Sequence, residues 1–153
     1  MINVKDLAPD FSAKDNLGEH LSIASLLAHG HKVILYFYPK DNTSGCTAEA
    51  CSLRDGYEEL LKMGFVVVGV SGDSESSHQK FIAKNELPFR LIVDTDHQIA
   101  DMYGVWALKK FMGREYMGIL RTTFIIDNSG VVEKIFTKVD TKDHFNQIVN
   151  SYK

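Results

Sequence analysis

Three apolar runs constrain this chain more than any other feature: residues 32–38 (KVILYFY), 65–70 (FVVVGV) and 123–127 (TFIID). Each has the length of a strand and shows no alternation of polar and apolar positions. A strand of that kind is covered on both faces of a sheet. Pro39 ends the first run, and a helix is expected after it. Thr43 or Ser44 can cap that helix, Ala48, Glu49 and Ala50 favour it, and Leu53, Tyr57, Leu60 and Leu61 recur at helical spacing up to Gly64. Residues 74–85, with Phe81 and Ile82 on the inner face, read as a second helix. Residues 97–103 and 143–152 read as two shorter ones. Residues 91–93 form a short strand, and Asn128-Ser129-Gly130 turns the chain into another at 131–137. Near the start, residues 11–14 and 19–22 flank Asp15-Asn16-Leu17-Gly18 as an N-terminal β-hairpin. Buried strands alternating with helices, closed by an antiparallel pair, describe an α/β fold of three layers around a mixed central β-sheet.

The composition fits one domain spanning residues 1–153, with 44% hydrophobic and 24% charged residues. No repeat, low-complexity tract or linker interrupts it. A net charge of -3 with no cluster of Lys and Arg excludes nucleic acid and anionic membranes as expected partners. The first residues lack the basic start and apolar stretch of a signal peptide, and no apolar run is long enough to span a bilayer. The expected location is the cytoplasm. The six histidines are scattered, and the His29/His31 pair has no cysteine at finger-like spacing, so no metal site is expected.

Two cysteines, Cys46 and Cys51, remain. In a reducing compartment a close pair points to redox chemistry, metal binding or plain burial. Cys46 follows a buried strand and falls in the first turn of the expected helix. Ligand sites of α/β sheets lie at such junctions. Unpaired amides and the helix dipole favour an anion there, so the position suits a thiolate and is expected to be exposed. The alternative is that each cysteine is a small buried residue. Five residues on an ideal helix separate the two Cα atoms by roughly 8.7 Å. A disulfide needs about 4.4–6.8 Å, so the pair can bond only if the helix unwinds locally.

Residues 39–46 read Pro-x-x-x-Thr-x-x-Cys, which resembles the peroxidatic motif of the peroxiredoxins. A second cysteine five residues on resembles the Q-type, or bacterioferritin comigratory protein, subfamily of these thioredoxin-like proteins. The likeness extends to Leu7-Ala8-Pro9-Asp10-Phe11, to Tyr103-Gly104-Val105-Trp106, to residues 111–119 and to the arginine-bearing stretch 121–127. The resemblance implies a thiol peroxidase acting on hydrogen peroxide and organic hydroperoxides. It implies Cys46 as the peroxidatic and Cys51 as the resolving cysteine, with Thr43 and Arg121 as catalytic partners. Pro39, Thr43, Gly45 and Arg121 then contact the substrate. Pro39 screens the nucleophile, Thr43 and the amides of Gly45 and Cys46 hold the peroxide oxygens, and the Arg121 guanidinium stabilises developing charge. It further implies no cofactor, recycling by thioredoxin or a similar dithiol, and a monomer.

Taken singly, Thr43 is equally a helix cap, Pro39 a strand terminator and Arg121 a surface charge. Glu49 either pairs with Arg121 or a lysine, or lies on a solvated face. Trp106, Phe111 and Tyr116 either line the site mouth or pack. One rival reading is a thioredoxin-fold protein disulfide reductase, which calls for C-x-x-C and a proline before the site-facing strand. Here the spacing differs and Thr122-Thr123 stand there. A non-enzymatic binding or chaperone module is the other.

Overall fold

Along β3 (Lys32–Phe37) successive side chains enter opposite faces of the sheet, and both faces are apolar. Val33, Leu35 and Phe37 join one buried cluster, while Ile34 and Tyr36 join a second. That is why the run shows no alternation in sequence. β4 (Phe65–Ser71), β5 (Arg90–Val93) and β8 (Thr122–Ile126) divide in the same way.

The computed structural model, which describes residues 1–153, arranges five strands in the order β5-β4-β3-β8-β9, with β9 at Val132–Phe136. β3, β4 and β5 run parallel, and β8 and β9 run antiparallel to their neighbours, so the central sheet is mixed. One face is covered by α2 (Ser44–Asp55), α3 (Tyr57–Lys62), α4 (Glu75–Asn85) and α6 (His144–Asn150), through Leu53, Leu60, Phe81 and Ile148. The other is covered by α1 (Ile23–Leu27) and α5 (Gln98–Met102), through Ile23, Ile99 and Ala100. The expected three layers are present. So is the N-terminal hairpin, β1 (Ala13–Lys14) with β2 (His20–Leu21), whose turn is tied by Asp15 Oδ1 accepting from the amides of Leu17 and Glu19.

A helix and a second hairpin go beyond the expected set. Ser22 ends the hairpin and caps α1 through a reciprocal box with Ser25, too short a helix for periodicity to reveal. β6 (Trp106–Phe111) and β7 (Arg114–Ile119) form a separate hairpin. Its two-residue turn, Met112-Gly113, has positive φ at both positions, the geometry that matches strand twist.

The helix expected to run unbroken to Gly64 divides at Gly56. A Cβ there would sit 2.0 Å from Cδ1 of Phe145, so the aromatic ring of α6 occupies the space a side chain would need. The φ of Gly56 is -97°, which any residue can adopt, so the requirement is closeness rather than backbone freedom. Gly56→Ala is therefore expected to displace α6 and cost about 1–3 kcal/mol, a fall of several degrees in Tm. An unchanged melting temperature in that variant would show that the α2–α6 contact tolerates the methyl group.

Candidate active site around Cys46

β3 delivers the chain to the site, and the segment from Tyr38 to Thr43 turns it into α2. Asn42 takes a φ of 63° within that turn, a conformation asparagine tolerates better than most residues. Thr43 stands at the N-cap position, yet its hydroxyl donates to the Lys40 carbonyl oxygen at 2.9 Å instead of capping the helix. The first backbone bond of α2 runs from the Thr47 amide to the Thr43 carbonyl. The amides of Ser44, Gly45 and Cys46 therefore precede the helical ladder, and Cys46 lies where unpaired N–H groups converge.

Arg121 comes from the neighbouring strand. The pairing Phe37↔Thr122 brings the residue before β8 to the carboxyl end of β3, where α2 begins. Its Nη2 donates to the Cys46 sulfur at 3.3 Å, and its Nη1 donates to Glu49 Oε1 at 2.7 Å. Gly45 fits against this guanidinium, since a Cβ at position 45 would lie 3.3 Å from Nη2. Cys46, Gly45 and Arg121 thus meet as expected. Thr43 and Pro39 lie on the outer side of the turn, exposed and half-buried respectively.

Exposure of Cys46 was the expectation, and the structure corrects it. Only 1% of the residue is accessible, and it packs among Tyr36, Tyr38, Ala50 and their neighbours in the buried cluster. The first turn of α2 lies against the sheet, so the face that carries residue 46 points inward. Cys51 is half-buried farther along the same helix, its sulfur 3.8 Å from Asn85 Oδ1, and both thiols are free. The helix is wound, the state in which they cannot bond.

Of the two arrangements the sequence allows for Glu49, the structure shows the pair: the residue is fully buried and ion-paired with Arg121. Burial pushes its carboxyl up to about 7 despite the pull of Arg121. Its Oε2 has no hydrogen-bond partner, and His144 Nε2 lies 3.8 Å away. His144 is itself buried, which pushes it down to about 4 and keeps it neutral at physiological pH. Its Nδ1 donates to Gln147 Oε1 and its Nε2 accepts from Thr123 Oγ1, each at 2.8 Å. The hydroxyl of Tyr36 is also buried without a partner, and its pKa is raised by burial and by the nearby charges of Glu49 and Cys46. Neither Tyr36 nor His144 carries a motif that marks it in sequence. Trp106 stacks on His97 at 3.8 Å, and Phe111 and Tyr116 project from the β6–β7 hairpin into solvent.

Residues 4–135 match the AhpC/TSA family. Peroxiredoxin Bcp of Bacillus subtilis is 44% identical over 152 residues, which is 99% of this chain and 96% of that protein. Peroxiredoxin Bcp of Escherichia coli K12 is 42% identical, over 95% of this chain and 92% of its own length. Among solved structures, the bacterioferritin comigratory protein of Xanthomonas campestris superimposes with a TM-score of 0.87 at 30% identity, covering 99% of this chain and 95% of that one.

The two buried groups beside Arg121 give opposite pH dependences. Glu49 holds its proton more tightly folded than unfolded, so its contribution to stability is present in full below about pH 4.5 and lost as pH rises through about 7. His144 is depressed, so stability is lost as pH falls from about 6.5 towards 4. The unfolding free energy of Glu49→Gln minus that of the parent chain should therefore rise between pH 5 and 8, by an amount on the order of 3 kcal/mol at most, and the Tm difference should rise with it. A flat difference across that range would mean that Glu49 is ionised throughout.

Proposed function

The chain belongs to the AhpC/TSA family as a peroxiredoxin of the Bcp, or Q, type, and from that premise we propose how its residues carry out the reaction. It is a thiol-dependent peroxidase. Cys46 is the attacking residue, acting as its thiolate. The Arg121 Nη2–sulfur contact at 3.3 Å carries this reading, because a fixed cation donating to sulfur stabilises charge on that atom and on the oxygen that leaves it.

The sulfur attacks one oxygen of the hydroperoxide. A sulfur–oxygen bond forms, the oxygen–oxygen bond breaks, and the leaving oxygen takes a proton to depart as water or an alcohol. Cys46 is left as a sulfenic acid. The Xanthomonas campestris relative is described in terms of alkyl peroxide reduction activity, which supports organic hydroperoxides as substrates here too. Peroxide enters past Pro39 and Thr43. The Thr43 hydroxyl and the amides of Gly45 and Cys46 hold its oxygens in line with the sulfur.

The first turn of α2 then unravels, the Cys51 sulfur displaces water from the sulfenic acid, and a Cys46–Cys51 disulfide forms. Weak capping of that turn supports this step. Thr43 makes no side-chain cap bond and no acidic residue occupies the first turn, whereas Ser52 and Arg54 are tied to Phe145 and Asn85 at the other end. Thioredoxin, or a dithiol protein like it, reduces the disulfide by exchange. Residues 1–153 act as one domain and as a monomer in the cytoplasm. No helix of the fold is long and apolar enough to cross a membrane.

Cys46→Ser is expected to abolish hydroperoxide consumption, and undiminished activity would refute the nucleophile. Cys51→Ser should consume about one equivalent, accumulate sulfenic acid and stall with thioredoxin. Free turnover of that variant would assign resolution to another thiol. Arg121→Ala should slow the reaction with hydrogen peroxide about 100-fold while the far-ultraviolet circular dichroism stays unchanged.

A further inference from the structure

Asp41 lies in the turn between Pro39 and Thr43, and its carboxylate is buried among donors from other elements. Tyr38, the residue after β3, donates its hydroxyl to Oδ1 at 2.6 Å, and Ser77 of α4 donates to Oδ2 at 2.8 Å. The amide of Asp41 donates in turn to Asp73 Oδ2 at 2.8 Å, an oxygen that also accepts from Ser71. His78, on the inner face of α4, completes the set with Nδ1 2.8 Å from Asp41 Oδ2. Its other nitrogen, Nε2, lies 2.9 Å from the carbonyl oxygen of Ile92 in β5. Both His78 and Asp41 are buried.

The protons of this cluster can be counted. A carbonyl oxygen only accepts, so Nε2 of His78 carries a hydrogen. A carboxylate also only accepts, and a neutral imidazole protonated at Nε2 presents a lone pair at Nδ1. Two lone pairs facing each other at 2.8 Å in a buried site would repel, so one proton must lie between Nδ1 and Oδ2. The pair is then either imidazolium with carboxylate or imidazole with carboxylic acid, and it is neutral overall in both forms. The Tyr38 and Ser77 hydroxyls favour the first form by donating to the carboxylate. Burial pushes Asp41 up, but the hydrogen bonds with His78, Tyr38 and Ser77 outweigh it and hold the carboxyl below the usual range. Atoms of Asp41, Asp73 and His78 lie within 4.8 Å of one another, as in a metal site. Ligand atoms on a tetrahedral ion with bonds of about 2.1 Å stand roughly 3.4 Å apart, however, and the nitrogen–oxygen spacing here is that of a hydrogen bond.

We propose that Asp41 and His78 share a buried proton that locks the Pro39–Thr43 turn in the position from which Thr43 and the first amides of α2 receive the peroxide. Asp41 is the residue of this turn through which β3, α4, β5 and the end of β4 all act. The clamp also sets a fixed boundary for the melting of α2. The chain can unravel after Thr43 while the turn before it stays tied to the sheet. Both residues are positioning groups and touch neither substrate nor sulfur. The proposal rests on the peroxidase reading for its functional half, and on hydrogen-bond geometry alone for the shared proton.

Nuclear magnetic resonance of protein labelled with nitrogen-15 in histidine, together with stopped-flow oxidation by hydrogen peroxide, tests both halves. The parent chain should give a low-field proton resonance from the His78–Asp41 bridge, absent from Asp41→Ala and from His78→Phe. Folded Asp41→Ala and His78→Phe should react with peroxide at least about 10-fold more slowly, with the later disulfide step no slower than in the parent. Asp41→Asn should stay within about threefold of the parent chain, because its amide can donate to Nδ1 and accept from Tyr38. Such rescue by the isostere separates positioning from a loss of packing. If His78→Phe does not fold, the Asp41 variants decide. Absence of the bridging resonance in the parent chain, or parental oxidation rates in folded Asp41→Ala, would overturn the proposal. Failure of the parent chain itself to consume peroxide would instead overturn the reading of the Cys46 site.

Discussion

Arg121 reaches the sulfur of Cys46 with one nitrogen and the carboxyl of Glu49 with another, and this division of a single positive charge governs the site. A buried thiolate is costly unless it is paired, and so is a buried carboxylate. With both ionised, the cluster carries one net negative charge in apolar surroundings. His144 cannot correct the balance, since burial keeps it neutral, and the Tyr36 phenol stays protonated. Burial raises Glu49 to about 7, so near neutral pH a large share of molecules keep that carboxyl protonated and leave the guanidinium to the sulfur. Thiolate and carboxylate compete for one cation.

The fold supplies this geometry through its strand order. Antiparallel pairing of β8 with β3 sets Arg121 beside the end of β3, where α2 begins. Parallel strands alone would send the chain from that end of the sheet into further crossovers. Glu49 lies three residues after Cys46, so one helical turn offers both partners to the same guanidinium. Gly45 completes the arrangement because any larger residue would press on Nη2.

Much of this is legible in the amino-acid sequence. Buried strands announce themselves as unbroken apolar runs, and the mixed sheet follows from their alternation with helices together with the closing antiparallel pair. The hairpin at Met112-Gly113 was missed because its turn lacks the usual asparagine or aspartate and its strands face solvent, which leaves no periodic apolar pattern. Gly56 was passed over because its role is to admit the Phe145 ring from 89 residues farther along the chain, and spacing carries no trace of such a contact. At the site, Cys46, Thr43, Gly45 and Arg121 came from motif resemblance, and only Cys46 had support from local physics. Burial of Cys46 and Glu49 depends on how α2 rolls onto the sheet. A helix whose sequence mixes Ser, Thr, Glu and Ala on several faces does not fix that roll.

Burial of Cys46 has a consequence for the proposed catalytic cycle. The wound state that surrounds the sulfur with Arg121 and the helix amides is also the state that closes it off and holds Cys51 out of bonding range. In the proposed cycle, peroxide attack draws on the ordered first turn of α2, which brings Arg121 and the amides to the sulfur, and disulfide formation requires its loss. Both demands can be met only if the turn is marginal while its flanks are firm. The observed bonds have that distribution: no cap at Thr43, ties from Ser52 and Arg54 at the far end of α2, and Asp41 bound to Tyr38, Asp73 and Ser77 just upstream. Melting confined between two anchors exposes few backbone groups and leaves the sheet, with Arg121 just before β8, in place for the helix to rewind.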